Sequence, residues 1–483
     1  MNISIRPISN VVGVLLIILG FTMLSCIPFS YLYDETDLWA LGLSGGLSIL
    51  VGSVFWLYRY RSSANVNKRE GYLIVVLSWV FMTIFGALPY YFSGVCGATD
   101  AIFESMSGLT TTGASIFNDI EALPHGILLW RSLSQWIGGM GIIVLTIALF
   151  PLLGIGGIEL FVAESPGPTS TKIHPRIKET AKSLWFLYCG FTVLLSIILY
   201  FEGMGAFDAL NHGLTTMATG GFSTKNASIA HFNSPLIEYT ITFFMLIAGT
   251  NYAVIYLMLK GKFKFVWKND EFRFYIKLLL TLALILTLFI FNITHLDFEE
   301  SFRKGTFMLV SMLTTTGFVT ADYTSWHAGL TMVFFLLLFT GGCAGSTSGG
   351  VKIIRHYILM KNTFYEFKRI LHPRAVIRVK FNNATVSGTI MTHILVFILI
   401  YMASFVFGSL VLTVIGVDFV SSLGAIATCL GNVGPAIGDV GPLNNFAGIP
   451  ESAKGFLSFM MLVGRLELFT VIIIFTPYFW RNR

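Results

Sequence analysis

Long apolar runs recur along the whole chain and are separated by short polar connections. A helix needs about 20 apolar residues to cross a bilayer core about 30 Å thick, and most of these runs reach that length. The pattern therefore predicts ten helical crossings, at residues 11–31, 40–58, 72–92, 126–153, 183–201, 235–259, 274–294, 328–360, 389–415 and 455–478.

The composition supports a polytopic all-α membrane protein. Of the 483 residues, 55% are hydrophobic and 12% charged, and the mean hydropathy is +0.76, so polar residues are too few to cover a soluble globule. The first run could be read as a signal peptide. It is long, lacks a convincing small-residue cleavage site and leads directly into a second run, so we expect a retained helix.

The basic residues predict the orientation, because positively charged loops stay in the cytoplasm. With the N-terminus inside, 25 of the 31 lysines and arginines are cytoplasmic, and an even number of crossings returns the C-terminus to the same side. The net charge of +6 is then a signal of topology, and we expect no nucleic-acid partner. The five cysteines are scattered, so we expect neither a disulfide framework nor a zinc site.

Four of the outward connections contain a mostly apolar segment that is too short to cross. Each segment ends at a glycine, and the four glycines are separated by 108, 96 and 117 residues, which indicates a repeat of about 110 residues. Each repeat reads as a long helix, a short helix, a glycine-bearing loop and a second long helix. Half-inserted segments of this kind are tolerated where they are buried in protein or line an aqueous cavity. The aligned glycines are Gly113, Gly221, Gly317 and Gly434.

The glycine loops are suited to a cation. Asp100 and Asp208 each precede their glycine by 13 residues, which predicts that they cap the N-termini of their short helices. The helix C-termini, with their partial negative charge, would then point at the loops. Backbone carbonyls can replace the hydration shell of a monovalent cation. The predicted lining is Thr111, Thr112, Gly113, Thr219, Gly220, Gly221, Thr315, Thr316, Gly317, Asn432, Val433 and Gly434.

A simpler interpretation needs no ion. Threonines are common at helix ends in membranes, and glycines are common at helix C-caps. Threonine hydroxyls could add oxygens to an ion site or bind the neighbouring backbone. The repetition of the pattern in four loops favours the ion site, although the fourth loop is the most divergent.

These motifs resemble those of the Trk/Ktr/HKT superfamily of potassium transporters. The residues concerned are TTTGAS, ATGGFST, TTTGFVT and GNVGPA in the four loops, with GGMGIIVL, GGCAGSTSGGVK and GRLELFTVIIIFTPYFWR elsewhere. The resemblance covers essentially the whole chain and is closest to the TrkH/TrkG branch of bacterial Trk membrane subunits.

The resemblance implies a pore-forming subunit for potassium uptake in the bacterial inner membrane. It implies four pseudo-symmetric helix, pore-loop and helix repeats around a central pore, after two extra helices. The implied division is 1–60 for those two helices, then 61–160, 161–270, 271–370 and 371–483 for repeats 1 to 4. The implied partners are a second copy of the chain and cytosolic TrkA-like nucleotide-binding subunits, which could dock on the basic inner surface. That surface could also simply control topology and attract anionic membrane lipid.

A gate is predicted between residues 341 and 350, where glycines, serines and a threonine interrupt an apolar run. A nucleotide phosphate loop is excluded, because the required GK[ST] ending is absent. The resemblance implies an intramembrane loop beneath the filter; a close helix contact or a kink is the alternative. The predicted gate residues are Gly341, Gly342, Gly345, Ser346, Thr347, Gly349 and Gly350, with Arg465 as their partner.

Several alternatives stay open at this point. Arg465 could form a salt bridge with Glu467, and His212 could either fill space behind the pore or sense ions. The same filter could serve a proton- or sodium-coupled symporter. An intramembrane hydrolase is disfavoured, because neither GxSxG nor HExxH is present.

In the family that the sequence resembles, glycine in the first loop accompanies potassium selectivity. Gly113 therefore favours K⁺ as the transported ion, and we expect no organic cofactor.

Overall fold

The N-terminal region is a helical hairpin in the computed structural model, which describes residues 4–57, 67–144 and 177–481. Helix Ile5–Leu24, extended by Ile27–Leu32, packs along helix Leu38–Leu57. A Cβ atom on Gly13 would lie 2.6 Å from the carbonyl oxygen of Gly52. Backbones approach this closely only where small residues face each other, which is a common means of joining helices in membranes.

Four long helices open the four repeats. A polar residue caps the start of three of them, Asn67, Asn269 and Ser387; the side chain of Ser387, for example, accepts a hydrogen bond from the backbone N–H of Ile390. With the N-terminal hairpin they are the six described helices that are long and apolar enough to cross a membrane, and they confirm six of the predicted crossings to within a few residues. The opening helices are Lys68–Gly86 with Leu88–Phe92, Ile177–Phe201, Asp270–Ile293 and Gly388–Ile415.

Four short helices follow the opening helices, one in each repeat. They are buried along most of their length, so the surrounding protein shields the backbone of segments that cannot span a bilayer. We number them short helices 1 to 4 in chain order: Ala98–Leu109, Ala206–Met217, Phe298–Leu313 and Phe419–Gly431.

The predicted N-caps of the first two short helices are wrong by three residues. The capping positions are Gly97 and Gly205, and neither is capped by a side chain. Asp100 and Asp208 lie in the first helical turn, where their carboxylates bind other elements. Asp100 forms an ion pair with Lys454 at 2.7 Å, and Asp208 accepts a hydrogen bond from Thr224 at 2.6 Å. These long-range partners draw the carboxylates away from the local N–H groups.

The second long helices of repeats 2, 3 and 4 are interrupted. Pro235–Ala248 and Tyr252–Leu259 meet at 107°, and Glu451–Arg465 and the segment from Phe469 to Phe475 meet at 111°. The predictions of single helices at 235–259 and 455–478 are therefore wrong. In repeat 2 the side chain of Asn251 starts a new helix by accepting a hydrogen bond from the Ala253 N–H at 2.8 Å.

By length and composition, the described residues contain fewer continuous spans than the ten predicted crossings. The described residues contain six continuous candidate spans, or eight if each bent pair counts as one. The other two predicted spans are 126–153 and 328–360. The first is described as helix His125–Val144, and residues 145–153 lie outside the described part. The second is split into Ala328–Leu337 and Ile353–Leu371, as the glycine content of residues 341–350 predicted.

The connection between repeats 3 and 4 contains a small β-hairpin. Strand Lys380–Phe381 pairs antiparallel with strand Ala384–Thr385, and Lys380 lies opposite Thr385. The two turn residues are asparagines in the left-handed region, which asparagine tolerates better than most residues. The minor elements are helices Phe263–Val266, Phe469–Ile472 and Pro477–Trp480 and the 3₁₀ turns Ser228–Phe232, Gly438–Val440 and Ile473–Phe475.

Candidate functional site: the ring of four glycine loops

The four short helices end in the same backbone conformation. Just after each helix one residue adopts the left-handed region, with φ of 53° at Thr111, 51° at Thr219, 56° at Thr315 and 53° at Asn432. Two residues later comes the aligned glycine, again with positive φ. These values are 82° at Gly113, 77° at Gly221, 82° at Gly317 and 105° at Gly434. The fourth loop therefore follows the same path as the others although its sequence is the most divergent.

The four aligned glycines form a closed ring, which we call the glycine ring. A Cβ atom added to any of them would collide with the carbonyl oxygen that precedes the glycine of the next loop. Gly434 completes the circle, because its Cβ atom would lie 2.8 Å from the carbonyl oxygen of Thr112 in the first loop. The contacts run from Gly113 to Gly220, from Gly221 to Thr316, from Gly317 to Val433 and from Gly434 to Thr112.

Most threonine hydroxyls of the loops bind protein groups. Thr112 Oγ1 lies 2.8 Å from Thr110 Oγ1, and Thr316 Oγ1 lies 2.7 Å from Thr314 Oγ1. The hydroxyl of Thr219 donates to the carbonyl of Ala218 at 2.7 Å. These hydroxyls could either bind an ion or bind neighbouring protein groups, and the structure shows the second role for these three residues. Backbone groups, placed by the glycines, are then the main ligands that the ring can offer.

Side chains behind the ring hold the first two loops together. Gln135 donates to the carbonyl of Gly220 at 2.6 Å and accepts from the N–H of Phe222 at 3.1 Å. Arg131, on the same helix, pairs with Glu104 at 2.8 Å, and both side chains are fully buried. These residues were not predicted from the sequence. The signal that could have found them is the presence of charged and amide side chains inside apolar segments, where such groups are costly without partners.

Arg131 contacts the first two loops, through Ser115 and Ser223, whereas Glu104 contacts the first loop. Arg131 Nη1 donates to the carbonyl of Ser223 at 3.1 Å, and Glu104 accepts from the N–H of Ile116 at 3.0 Å. His212 occupies the position on short helix 2 that Glu104 occupies on short helix 1, and its Nε2 lies 2.9 Å from Ser223 Oγ. This contact agrees with a space-filling, bracing role for His212.

A cavity of about 140 Å³ opens on one side of the ring, and we call it the vestibule. All four glycines of the ring line it. Arg131 and Lys225 are the charged residues among its described lining. The vestibule thus connects the loop surface directly to the backbone of the ring.

The glycine-rich loop, residues 341–350, lies against the opposite ends of the same loops. The hydroxyl of Thr347 donates to the carbonyl of Met217, the last residue of short helix 2, at 3.1 Å. The N–H of Gly349 donates to Thr315 Oγ1 at 2.7 Å. A Cβ atom on Gly349 would lie 2.7 Å from that of Asn432. The loop therefore contacts the glycine loops of repeats 2, 3 and 4.

The rest of the glycine-rich loop is fixed by its own chain and by the break in repeat 2. Gly341 donates to the carbonyl of Val351 at 2.9 Å, and Gly342 donates to Ser348 Oγ at 3.1 Å. The carbonyl of Gly345 accepts from the N–H of Tyr252 at 3.2 Å. The remaining predicted residues, Ser346 and Gly350, lie in the same segment, where Ser346 donates to the carbonyl of Cys343 at 2.6 Å and Gly350 has a φ of 63°.

Arg465 reaches the glycine-rich loop from the break in the last helix. Its Nη1 donates to the carbonyl of Thr347 at 2.8 Å, and its Nη2 donates to the carbonyl of Gly138 at 3.4 Å. Glu467 pairs with Arg355 at 2.5 Å, so the alternative of an Arg465–Glu467 salt bridge is wrong.

The fold and this site define a multi-pass α-helical membrane protein in which four half-inserted helices converge on one ring of backbone. The family described as "TrkH: Cation transport protein" matches residues 43–481. The chain therefore belongs to the TrkH family of cation transport proteins, and it is a transporter, not an enzyme.

Individual relatives agree over the whole length. The chain is 41% identical to the Trk system potassium uptake protein TrkH of Salmonella typhimurium over 482 residues, which are 99% of both chains. It is 34% identical to the Trk system potassium uptake protein TrkG of Escherichia coli over 488 residues, or 100% of both. The crystal structure of the potassium transporter TrkH from Vibrio parahaemolyticus matches with a TM-score of 0.91 and 35% identity, covering 99% of this chain and 100% of that one.

Proposed function

We propose that the chain is the pore-forming subunit of a Trk-type potassium uptake system. The observation that carries the proposal is the closed glycine ring, in which four equivalent backbone segments meet and side chains are sterically excluded. Neutral carbonyl oxygens can replace the water around a monovalent cation without holding it as tightly as carboxylates would. The names of the relatives, which are potassium uptake proteins, support K⁺ as the transported ion.

The ion filter in this proposal consists of the predicted loop residues. The C-terminal ends of the four short helices lie at the ring, and their partial negative charge favours a cation there. The hydroxyls contribute mainly by holding the backbone in place. The residues are Thr111, Thr112, Gly113, Thr219, Gly220, Gly221, Thr315, Thr316, Gly317, Asn432, Val433 and Gly434.

The glycine-rich loop is the gate in this proposal. Its contacts with three of the four glycine loops support a position across the ion path, and the charge of Arg465 beneath the ring opposes a cation. Opening then requires the loop to exchange its hydrogen bonds with Met217, Thr315 and Arg465. The gate residues are Gly341, Gly342, Gly345, Ser346, Thr347, Gly349, Gly350 and Arg465.

The cellular setting follows from the charge distribution and the family. We propose a bacterial inner-membrane location with both termini in the cytoplasm, where most basic residues then lie. The proposed partners are a second copy of the chain and cytosolic TrkA-like nucleotide-binding subunits, together with membrane lipid. The proposed division of the chain is a hairpin at 1–60 and repeats at 61–160, 161–270, 271–370 and 371–483.

Rubidium uptake tests the proposal directly. The purified protein in liposomes should take up radioactive Rb⁺ against little competition from Na⁺, and Gly113→Ser should weaken that discrimination because its side chain would meet the Gly220 carbonyl. Equal competition by Na⁺ in the unmodified protein, with no effect of Gly113→Ser, would falsify the filter. A reversal potential that follows an imposed H⁺ or Na⁺ gradient would instead assign coupled transport through the same ring.

A further inference from the structure

The vestibule has an unusual charge for the entrance of a cation path. The charged side chains of its described lining are both basic, Arg131 and Lys225. A site that only had to concentrate cations would be expected to carry carboxylates there. The two basic residues therefore need separate explanations.

Arg131 is neutralised in place. Its guanidinium pairs with Glu104 at 2.8 Å, with both side chains at most 1% exposed, and further hydrogen bonds go to the Ser223 carbonyl and Ser115. A buried ion pair of this kind presents little net charge to the vestibule, so the role of Arg131 is to join the first two glycine loops.

Lys225 is not neutralised to the same degree. Its ammonium lies 3.7 Å from Glu121, and the two side chains are 24% and 39% exposed, so water screens the pair. The nearby Asp119 uses one carboxylate oxygen to accept from the N–H of Glu121 at 3.1 Å and from Asn226 at 3.0 Å. The backbone of Lys225 is fixed, because its N–H donates to Ser223 Oγ at 3.0 Å. The loop therefore holds one weakly paired positive charge at the wall of the vestibule.

We propose that Lys225 is a specificity-determining residue that selects monovalent over divalent cations at the entrance. This inference rests on the proposed function, in which ions pass from the vestibule into the glycine ring. A positive potential lowers the local concentration of an ion by a Boltzmann factor whose exponent is proportional to the ionic charge. The penalty for Ca²⁺ or Mg²⁺ is therefore the square of the penalty for K⁺. A carbonyl ring needs this protection, because a divalent cation bound there would leave slowly and block it.

The experiment compares Lys225→Gln and Lys225→Glu with the unmodified protein in liposomes at low ionic strength. Half-saturating Rb⁺ and half-inhibiting CaCl₂ and MgCl₂ concentrations are measured from radioactive Rb⁺ uptake. For Lys225→Gln we expect the half-saturating Rb⁺ concentration to fall about twofold and the half-inhibiting Ca²⁺ and Mg²⁺ concentrations to fall about fourfold. These changes are on the order expected for one partly screened charge. Lys225→Glu changes the charge by two units, so the logarithms of both kinds of concentration should change twice as much as in Lys225→Gln. At high salt, where the screening length is about 3 Å, the differences should vanish.

Matched variants separate the vestibule from general surface charge and from folding. Glu121→Gln exposes the ammonium and should raise both concentrations. Lys304→Gln removes a lysine that pairs with Glu300 at 2.7 Å outside the vestibule lining, and should change neither. Lys225→Arg keeps the charge and should behave as the unmodified protein.

Three results would overturn the role of Lys225. The first is that Ca²⁺ and Mg²⁺ inhibit Lys225→Gln and Lys225→Glu at the same concentrations as the unmodified protein. The second is that the half-saturating Rb⁺ concentration and the half-inhibiting Ca²⁺ concentration change by the same factor. The third is that Lys304→Gln shows the same changes as Lys225→Gln. None of them concerns the competition between Rb⁺ and Na⁺, which tests the filter separately through Gly113→Ser.

Discussion

Arg465 donates a hydrogen bond to the carbonyl oxygen of Thr347 over 2.8 Å, across 118 residues of sequence. Arg465 is 2% exposed, and the carboxylate of the nearby Glu467 pairs with Arg355 instead. The charge of Arg465 is therefore directed at backbone carbonyls, among them that of the loop that we propose as the gate.

The Arg465 contact predicts that its removal favours opening. Arg465→Gln loses one charge-assisted hydrogen bond to the loop, worth about 1.5–3 kcal/mol. The ratio of closed to open protein should therefore fall by roughly a factor of ten or more. The measurement is Rb⁺ flux through the reconstituted protein without regulatory subunits, and the flux should rise. Arg303→Gln is the control, because Arg303 pairs with Glu238 at 2.7 Å away from the loop. An unchanged flux in Arg465→Gln would contradict the gate assignment.

The glycine ring predicts a graded effect of alanine. Alanine at Gly221 or Gly317 would place Cβ closest to a carbonyl oxygen of the next loop, whereas at Gly434 the separation is 2.8 Å. Loss of Rb⁺ over Na⁺ discrimination should therefore be larger for Gly221→Ala and Gly317→Ala than for Gly434→Ala. Uptake competition in liposomes measures it.

A matched control separates the collision from backbone strain. Gly416 has a φ of 106°, almost the same as the 105° of Gly434, and has no atom within 4 Å of its Cβ position. Gly416→Ala should cost stability but leave ion discrimination unchanged. If Gly416→Ala impaired discrimination as Gly434→Ala does, the collision would not be the cause.

The Glu104–Arg131 pair predicts strong non-additivity in stability. Glu104→Gln leaves the fully buried Arg131 without its counter-charge and should destabilise the protein by about 3–5 kcal/mol. Glu104→Gln combined with Arg131→Met removes both charges and should recover part of that loss. Thermal unfolding in detergent measures Glu104→Gln, Arg131→Met and the double variant. A double variant as unstable as the sum of the single variants would show that the two residues act independently.

We expect Asp418, at the exposed start of short helix 4, to make a contribution to stability that depends on pH. Its carboxylate accepts hydrogen bonds from the N–H groups of Ser421 and Val420, and those bonds lower the pKa of Asp418 below its usual value. A lowered folded-state pKa gives stability that is present above the unfolded-state pKa and is lost as the pH falls through the folded-state pKa. Asp418→Asn should therefore be less stable than the unmodified protein at neutral pH, and the difference should shrink in acid.

The unfolding temperature of both proteins between neutral pH and about pH 3 checks this, since the ordinary aspartate pKa is about 3.9. Asparagine can still cap a helix, so the comparison isolates the charge. A difference that stays constant across this range would contradict the argument.

Local patterns in the sequence predicted much of the fold. The six continuous spans and the break after Leu337 follow from apolar length and glycine content, which depend only on neighbouring residues. The bends in the second helices of repeats 2 and 4 were not predicted, because their segments are mostly apolar and the few polar residues near Asn251 and Arg465 do not by themselves end a helix. At Asn251 the chain can either continue the first helix or start a new one. Which of the two forms depends on the packing of the folded chain.

The loop residues were predicted from their repetition, whereas their supports were not. Gln135 binds Gly220 across 85 residues, and Arg465 binds Gly138 across 327. The sequence shows each polar residue but does not show which of many distant carbonyls or carboxylates it meets. A salt bridge to Glu467 was an alternative for Arg465 because the two are close in the chain, and the structure pairs Glu467 with Arg355.

A membrane protein with four repeated glycine loops could be inferred before folding was considered, because the length of apolar runs and the spacing of glycines are properties of the chain. The packed chain shows how the loops close into a ring, that Arg131 is neutralised while Lys225 is only weakly paired, and that Arg465, the predicted partner of the gate residues, contacts the carbonyl of Thr347 among them. These relationships depend on distances between segments that are far apart in sequence, and packing sets those distances.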